Sequence, residues 1–373
     1  MNQYPWLSYN EECEVLVIGG GVMGCTALYK LSKENIDAVL ITQKPVGFCD
    51  SKHLICQPGN ELMITELIKK YGKIFSINYF KRCQEALLEI KEICNNKVYC
   101  KFRDSFVYDK NFQKIHNEYL MRRHNGIVCD YLENTSEVFS FNAKGGILQK
   151  DGACEIDYYE FCHLLAYKSE ELGARIFENT TAIRIEEYGE KYIVKTSYGK
   201  NIIASKIVLC LGKESAEYLD DIAQIKESFT LITNPVKQFD GYLSRAVIKN
   251  EDIVLHTTDD DRIVISGLSI STLGNRLSKM IGKEKIDNRK FDELNQKLSE
   301  MLVGIENINI DVKLKNEYLS SNDILPIFQK LNKNQNIYLA TVCSENAIAY
   351  AMVTADKICN LFSNSKSKVK GEQ

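Results

Sequence analysis

The stretch EVLVIGGGVMGCTALYKLSKENIDAVLITQK, residues 14–44, decides the predicted fold. Residues 14–18 form a short apolar strand, a glycine-rich turn follows directly, and residues 25–33 have the apolar spacing of a helix. A second strand at residues 37–41 completes a β-α-β unit of about 30 residues. The segment therefore predicts a nucleotide-binding turn, and the alternative is a tight turn with a purely structural role.

Each glycine of the G-x-G-x-x-G pattern has its own task. Gly19 makes the tight turn, Gly21 lets the backbone approach a pyrophosphate, and Gly24 lets the helix pack closely on the strand. The phosphates would lie at the helix N-terminus. The unit ends on Thr42, where such fingerprints normally carry Asp or Glu.

Composition points to small-molecule partners. The chain has 373 residues, of which 45% are hydrophobic, enough for two domains or one large one. The 47 basic residues nearly balance the 50 acidic ones, so no electrostatic footprint for nucleic acid or an anionic membrane is present. Residues 1–14 lack an apolar h-region, and charges or Gly interrupt every apolar stretch within about 18 residues. We expect a cytoplasmic protein without a transmembrane segment.

The cysteines and histidines do not suggest a metal site. None of the 13 cysteines forms a C-x-x-C pair, and the five histidines are scattered along the chain. Without a secretory signal, we expect reduced thiols.

Secondary-structure signals continue along the whole chain. Residues 60–96 are predicted to be helical. Asp157 and Glu160 form a capping box for a helix that runs to Leu172 and ends at Gly173. The further predicted strands are 175–177, 182–187, 192–196, 202–211, 229–233, 253–257, 262–267 and 337–341, and the further predicted helices are 287–302 and 345–362. Nucleotide-binding character at the start, middle and end implies a cofactor domain assembled from separated segments.

These motifs together resemble the FAD-dependent D-amino acid oxidase (DAO) superfamily, which includes glycine oxidase, sarcosine oxidase and glycerol-3-phosphate dehydrogenase-like proteins. The resemblance rests on five motifs in the family's order: VIGGGVMG, DGACEIDYYEFCHLLAYKSEELGARIFENTTAIRIE, KIVLCLGKES, TTDDDRIVISG and SSNDILPIFQKLNKNQNIYLATVCSENAIAYAM. Residues 50–110 are most similar to a bacterial, often clostridial, subgroup.

The resemblance implies an α/β fold with a Rossmann-like FAD-binding domain, interleaved with an α+β substrate domain built on a mixed, largely antiparallel sheet. The implied FAD-binding domain comprises residues 1–75, 147–219 and 319–373, and the substrate domain comprises 76–146 and 220–318. The implied FAD-contacting residues are Gly19, Gly21, Val22, Met23, Gly24, Thr42, Gln43, Lys44, Asp50, Ser51, Ala182, Ile183, Gly212, Cys343, Ser344, Glu345 and Asn346.

Two positions depart from the family pattern. At Thr42 a neutral hydrogen bond to the ribose replaces a charge-assisted one, a loss of about 1–3 kcal/mol or roughly 5- to 150-fold in affinity. The nearby Lys44 leaves a preference for a 2′-phosphate conceivable, although the family uses FAD. At residues 343–346 the family's glycine-rich loop is absent, and Glu345 would oppose an anionic flavin if it points inward.

Residues 47–59 match the loop that wraps the phosphate and the isoalloxazine in the family. Asp50 and Ser51 are hydrogen-bonding candidates there. Some relatives attach FAD covalently through His or Cys, so Cys49, His53 and Cys56 are candidates for that bond, with ordinary loop residues as the favoured interpretation.

The implied reaction needs positioning groups more than acids and bases. An arginine fork, supported by Tyr, is the natural clamp for a substrate carboxylate. Candidates are Arg245, with Tyr242 beside it, His256 and Tyr318, whereas Arg262 is favoured as structural.

Three functions follow from these observations. The leading one is oxidation of a C–N bond of a small amine or amino acid by hydride transfer to flavin N5. One alternative is a 2-hydroxy acid or polyol-phosphate dehydrogenase on the same fold. The other is a degenerate, non-catalytic subunit that depends on a protein partner. The electron acceptor, oxygen or another, stays open.

Overall fold

The structure is a computed structural model that describes residues 3–48, 55–56, 62–134, 145–236, 245–272, 282–301, 308–322, 325–332, 335–342 and 347–369. The helices in these ranges are α1 (Val22–Lys33), α2 (Ile64–Tyr71), α3 (Lys73–Cys94), α4 (Phe112–His124), α5 (Tyr158–Glu171), α6 (Lys283–Met301) and α7 (Ala347–Val369). The strands are β1 (Glu11–Ile18), β2 (Ala38–Ile41), β3 (Ile55–Cys56), β4 (Cys100–Tyr108), β5 (Asp130–Leu132), β6 (Gly146–Ile156), β7 (Arg175–Phe177), β8 (Ala182–Tyr188), β9 (Lys191–Thr196), β10 (Asn201–Leu209), β11 (Ala223–Thr233), β12 (Arg245–Ile248), β13 (Ile253–Thr257), β14 (Ile263–Ser271), β15 (Ile310–Ser321), β16 (Ile327–Lys330) and β17 (Ile337–Thr341).

The first sheet is built around parallel strands. Its order is β16-β17-β10-β1-β2-β7, and all neighbours from β17 to β7 run parallel. The β8–β9 hairpin pairs in antiparallel fashion with residues 201–204 of β10, and β16 pairs in antiparallel fashion with β17. Helices α1, α5 and α7 cover one face, where α1 packs against both of the others. This is the layered arrangement expected of a nucleotide-binding domain.

The second sheet is mixed and largely antiparallel. Its order is β15-β11-β14-β13-β12-β4-β6-β3, with β5 paired to β6, and only the β12–β4 pair is parallel among the described strands. Helix α6 packs on one face of β11 and β14. The two sheets therefore reproduce the predicted α/β fold class with its second, largely antiparallel sheet.

The chain alternates between the two sheets. Strands of the first sheet come from residues 11–41, 175–209 and 327–341, and the strands of the second sheet come from the segments between them. Because β6 belongs to the second sheet, the segment 147–219 contributes to both. The domain boundaries stay a prediction.

Most local predictions are confirmed in the structure. The Asp157 carboxylate caps α5 by accepting from the Glu160 N–H at 2.8 Å. The helical prediction for residues 60–96 is confirmed over 64–71 and 73–94, where Gly72, with φ +78°, separates α2 from α3. Helix α7 extends to Val369, beyond the predicted end at residue 362.

Candidate functional site

A cavity opens where three parallel strands of the first sheet end. The turn after β1, the loop after β2 and the loop after β10 form its walls, and its volume is about 390 Å³, within the usual range of ligand sites. Ligands in open α/β sheets bind at the carboxyl ends of the strands. The cavity is therefore placed where the fingerprint predicts a nucleotide.

The glycine-rich turn is too tight for side chains at two positions. Gly19 has φ +118°, and a Cβ there would lie 2.2 Å from the Cys210 carbonyl oxygen. A Cβ at Gly24 would lie 1.8 Å from the carbonyl oxygen of Gly19. Gly21 differs, since the nearest atom to its Cβ would be the Tyr158 hydroxyl oxygen at 3.7 Å. The space in front of Gly21 belongs to the cavity. This agrees with the prediction that the backbone at Gly21 approaches a pyrophosphate.

Helix α1 points its N-terminus into the cavity. Val22 and Met23 line the wall, and the Val22 N–H donates to the Tyr158 hydroxyl at 3.0 Å. No acidic residue lies in the first turn of α1, so the helix dipole there is not neutralised by its own side chains. Tyr158 was not predicted as a site residue, because only the fold brings α5 next to the turn.

Thr42 lies between the glycine turn and the loop after β2. It is 7% exposed and lines the cavity, and its hydroxyl donates to the Lys44 carbonyl at 2.9 Å. A Cβ on Gly20 would come within 2.8 Å of the Thr42 Oγ1. The oxygen keeps lone pairs that a ribose hydroxyl can use. Gln43 and Lys44 also line the cavity.

A buried carboxylate holds the loop after β2 in place. Glu178, 2% exposed, accepts from the Val46 N–H at 2.7 Å and from the Tyr4 N–H at 3.2 Å. The Gly47 N–H donates to the Gly20 carbonyl at 2.8 Å. The N-terminal segment, this loop and the glycine turn are thus tied together.

The opposite wall comes from residues next to β8 and β10. Ala182 and Gly212 line the cavity, together with Thr180 and Thr181, which sequence reasoning missed. Ile183 is not among the described lining residues and is 67% exposed. Its contact with the cofactor stays a prediction.

An ion pair bridges the two sheets beside the cavity. Lys213, just after β10, donates to Glu317 on β15 at 2.8 Å. The hydrogen bond from Lys213 lowers the pKa of Glu317. Tyr318 follows Glu317 and also lines the cavity, so the edge strand of the second sheet forms part of the wall.

One face of the second sheet is apolar, and the opposite face, the polar face, carries polar side chains among apolar ones such as Val254 and Val264. The apolar face packs on α6 through buried side chains of both elements: Phe229, Leu231, Leu255, Ile265, Phe291, Leu294 and Leu298. Arg245 pairs with His256 across β12 and β13, and Thr230 pairs with Ser266, their hydroxyl oxygens 2.9 Å apart. Paired residues share a face of the sheet. By the register through β14, these four polar residues lie opposite α6.

Tyr318 lies on the same polar face but farther along the sheet. It pairs with Lys226 on β11, and its hydroxyl donates to Ser269 at 3.1 Å. Three strand spacings separate β15 from β13, at least about 14 Å. The structure therefore brings together Arg245, which is 5% exposed, and His256, which is partly exposed. It places Tyr318 apart from them, at the cofactor cavity.

Several candidates lie outside the described residues or side chains. These are Cys49, Asp50, Ser51, His53, the side chain of Cys56, Tyr242, and Cys343, Ser344, Glu345 and Asn346. Arg262 pairs with Asp260 at 2.7 Å and with Asp311 at 2.6 Å at the β13–β14 turn, as a structural residue would.

The described part of the chain contains neither a metal-binding cluster nor a membrane-spanning helix. No group of three or more His, Cys, Asp or Glu side chains there is arranged to hold a metal ion. No helix among the described residues is long and apolar enough to cross a membrane.

These features fit a flavin dinucleotide. An open space faces Gly21, the N-terminus of α1 is available to phosphate, and Thr42 offers a hydroxyl at the ribose end. A Cβ at Gly21 would enter this space without clashing with any protein atom. Packing of the protein therefore does not require glycine at this position, whereas the approach of a ligand does.

Comparisons with known proteins agree with this fit. The family model described as "FAD dependent oxidoreductase" (DAO) matches residues 14–361. A Bacillus subtilis (strain 168) protein, YhfW, provisionally named a Rieske 2Fe-2S iron-sulfur protein, is 26% identical over 96% of this chain and 70% of its own length.

Two solved structures share the fold. Glycine oxidase from Geobacillus kaustophilus superposes with a TM-score of 0.73 at 15% identity, over 95% of both chains. L-Proline dehydrogenase from P. horikoshii gives the same TM-score and identity, over 95% of this chain and 94% of its own. With the family model covering most of its length, the chain belongs to the DAO family of FAD-dependent oxidoreductases, and its cofactor is FAD.

Proposed function

We propose that this enzyme oxidises a C–N bond of a small amino acid or amine whose carboxylate is bound by Arg245. The observation that carries the proposal is the Arg245–His256 pair on the polar face of the second sheet. The glycine oxidase and L-proline dehydrogenase structures, which share the fold, support an amino-acid substrate.

The shape and charge of the Arg245 side chain are the physical argument for a carboxylate. Its guanidinium group is only 5% exposed, and anions or polar groups stabilise a cation at such a position. Its planar fork matches a carboxylate in a bidentate fashion. Arg245 also lies on the face opposite α6, the face that reaches the cofactor cavity at Tyr318.

Each residue then has a defined task. Arg245 fixes the carboxylate, and the imidazole of His256 beside it accepts a hydrogen bond from the substrate's amino group. Bound FAD supplies the two-electron acceptor. The neighbouring apolar side chains exclude water, and little further acid or base chemistry is needed from the chain.

Anaerobic titration of the FAD-loaded enzyme tests the substrate class. Amino acids of both hands, simple amines, 2-hydroxy acids and polyol phosphates are added in turn, and the flavin absorbance is followed between about 350 and 500 nm. Bleaching by an amino acid supports the proposal. Bleaching by a hydroxy acid or polyol phosphate alone would replace it with the dehydrogenase alternative.

Variants of Arg245 test the clamp. We expect Arg245→Ala to weaken apparent substrate affinity by roughly 10- to 160-fold, the loss of a charge-assisted hydrogen-bond pair, and Arg245→Lys to lose less. Arg123→Ala, at an exposed position on α4, is the matched control and should bind as the wild type does. Unchanged affinity in Arg245→Ala would remove Arg245 from the site.

We also propose that an iron-sulfur electron carrier, and not oxygen, reoxidises the enzyme. The support is the iron-sulfur name of the Bacillus relative, which this chain matches over 70% of its length. We expect slow oxygen uptake and fast reduction of a one-electron acceptor such as ferricenium by substrate-reduced enzyme. Oxygen uptake that keeps pace with substrate oxidation would overturn this assignment.

A further inference from the structure

Three cysteines meet where α3 turns back into β4. Cys94 is the last residue of α3, and the left-handed residues Asn95 and Asn96, with φ of 37° and 58°, reverse the chain. Strand β4 then begins at Cys100, whose Sγ lies 3.0 Å from the Sγ of Cys154 on β6. Cys94 also hydrogen-bonds to Cys100. Sequence spacing gave no sign of this cluster, since Cys154 is distant along the chain.

Cys100 differs from the other thiols in two ways. Among the ten free cysteines of the described chain, it alone is not fully buried. Hydrogen bonds with Cys154 and Cys94, with help from the nearby Lys91, lower the pKa of Cys100 to well below that of an ordinary thiol. Burial instead raises the pKa of Cys129. Oxidant-sensitive cysteines combine thiolate character, solvent access and a neighbouring resolving thiol.

We propose that Cys100 and Cys154 form a dithiol site that hydrogen peroxide oxidises to a disulfide. The Cys100 thiolate attacks one peroxide oxygen, the O–O bond breaks, and Cys100 becomes a sulfenic acid with release of hydroxide. The Cys154 thiol then attacks the Cys100 sulfur, and the sulfenic oxygen leaves as water while the S–S bond forms. The two sulfur atoms supply two electrons, and one peroxide yields one water and one hydroxide, which becomes a second water when it takes up a proton from solvent.

The strand register explains why Cys154 is the resolving partner. In the antiparallel β4–β6 ladder, Phe102 pairs with Cys154 and Cys100 pairs with Ile156, so the two cysteines are diagonal neighbours on one face. Both cysteines lie in regular strands and not in a loop, and their sulfur atoms lie 3.0 Å apart. The site is independent of which substrate the enzyme oxidises.

Peptide mapping of the full-length holoenzyme tests the site. Reduced protein is treated with hydrogen peroxide, its remaining thiols are blocked with N-ethylmaleimide, and it is cut with trypsin plus a glutamyl endopeptidase. Each cysteine of interest then lies in its own peptide: 53–61 for Cys56, 93–97 for Cys94, 98–101 for Cys100 and 151–155 for Cys154. We expect peptides 98–101 and 151–155 joined by a bond that dithiothreitol reverses.

Variants identify the order of events. Cys154→Ser should leave Cys100 as a sulfenic acid that dimedone traps, and Cys100→Ser should give no bridge. Cys83→Ser, at a fully buried position on α3, is the control that should still form it. A bridge from Cys154 to Cys56, whose backbone pairs with it, or from Cys100 to Cys94, would overturn the assignment.

Wild-type protein alone provides a second test that does not depend on the folding of variants. We expect iodoacetamide to alkylate Cys100 first and to do so at about pH 6, where an ordinary thiol of pKa about 8.5 is more than about 99% protonated. Alkylation of Cys100 no faster than that of the buried cysteines would refute the proposal, as would a disulfide found only between two copies of the chain on a non-reducing gel.

Discussion

The hydroxyl oxygen of Tyr158 accepts a hydrogen bond from the backbone N–H of Val22 at 3.0 Å. This contact joins the first turn of α5 to the first turn of α1, at the wall of the cofactor cavity. A side chain 136 residues away thus satisfies one of the N–H groups that every helix N-terminus leaves without an intrahelical partner.

Tyr158→Phe should therefore destabilise the FAD-free protein. The buried Val22 N–H loses its acceptor, which costs about 1–3 kcal/mol in the free energy of unfolding. Urea unfolding of the FAD-free protein measures the change. Tyr159→Phe, which removes the hydroxyl of the partly exposed neighbouring tyrosine, is the control and should leave the stability unchanged. Equal stabilities of the two variants would show that the contact contributes nothing.

Thr42→Val should weaken FAD binding without disturbing the fold. The substitution keeps the shape that packs against Gly20 and removes one neutral hydroxyl, so we expect the FAD dissociation constant to rise roughly 2- to 13-fold. Fluorescence titration of the FAD-free protein measures it. Thr196→Val is the matched control, because Thr196 is also buried and its hydroxyl also donates to a backbone carbonyl, that of Lys200, away from the cavity. Wild-type affinity in Thr42→Val would mean that the ribose does not use this hydroxyl.

Gly24→Ala and Gly21→Ala should fail in different ways. The methyl group that Gly24→Ala introduces would meet the backbone oxygen of Gly19 at 1.8 Å, so helix and strand must separate and we expect little folded protein. The nearest protein atom to the Gly21→Ala methyl group is the Tyr158 hydroxyl oxygen, at the ordinary contact distance of 3.7 Å, so that variant should fold and lose FAD. Thermal unfolding and flavin content after desalting separate the two outcomes. Normal flavin content in Gly21→Ala would place the pyrophosphate elsewhere.

A cluster of ion pairs joining α1, α3 and α7 should make the protein sensitive to acid. Glu89 on α3 contacts Lys30 on α1 and, at 3.0 Å, Arg82, and Asp356 on α7 lies 2.9 Å from Lys30. Burial alone would raise the pKa of Glu89, but the contacts with Lys30 and Arg82 outweigh it and lower the pKa. A lowered pKa in the folded state stabilises the protein above the unfolded-state pKa, and this contribution is lost as the pH falls through the folded-state value.

The Glu89→Gln variant isolates that contribution. Its unfolding free energy should be lower than that of the wild type at neutral pH, and the difference should shrink as the pH falls to about 3. Glu85→Gln is the control, since Glu85 contacts Arg82 only at 3.8 Å and is 66% exposed. A Glu89→Gln deficit that is constant with pH would show that the carboxylate's charge is not responsible.

The local signals of the sequence were sufficient for the strands of the first sheet except β16, which was not predicted. The apolar runs of β1, β2 and β17 are buried in parallel strands, where continuous hydrophobic residues are the rule. The Asp157 cap and the glycine turn could also be predicted from the sequence, because both depend only on residues that are close along the chain.

The second sheet was harder to predict because its partners are distant. Strand β4 carries two basic residues, so its sequence has no alternating apolar pattern. Lys101 forms an ion pair with Asp259, and Arg103 forms ion pairs with both Asp259 and Glu155. Strand β15 likewise carries a charged residue, Lys315, which forms an ion pair with Asp287 at 2.6 Å. The site residues Tyr158 and Lys213 were missed for the same reason, since only tertiary contacts give them their positions.

The order of strands in the first sheet means that one strand must wait for its neighbour while the chain is being synthesised. Strand β10 pairs with β1, made early, and with β17, made near the end of the chain. Between β10 and β17 the ribosome adds about 130 residues, which takes roughly 6 to 25 s at usual rates of about 5–20 residues per second. During that interval β9 covers only residues 201–204 of β10 on this side, so the apolar residues 207–209 lack their neighbouring strand. Such edges template aggregation, so the yield of this protein in cells should depend on chaperones that reach the chain before its last strand does.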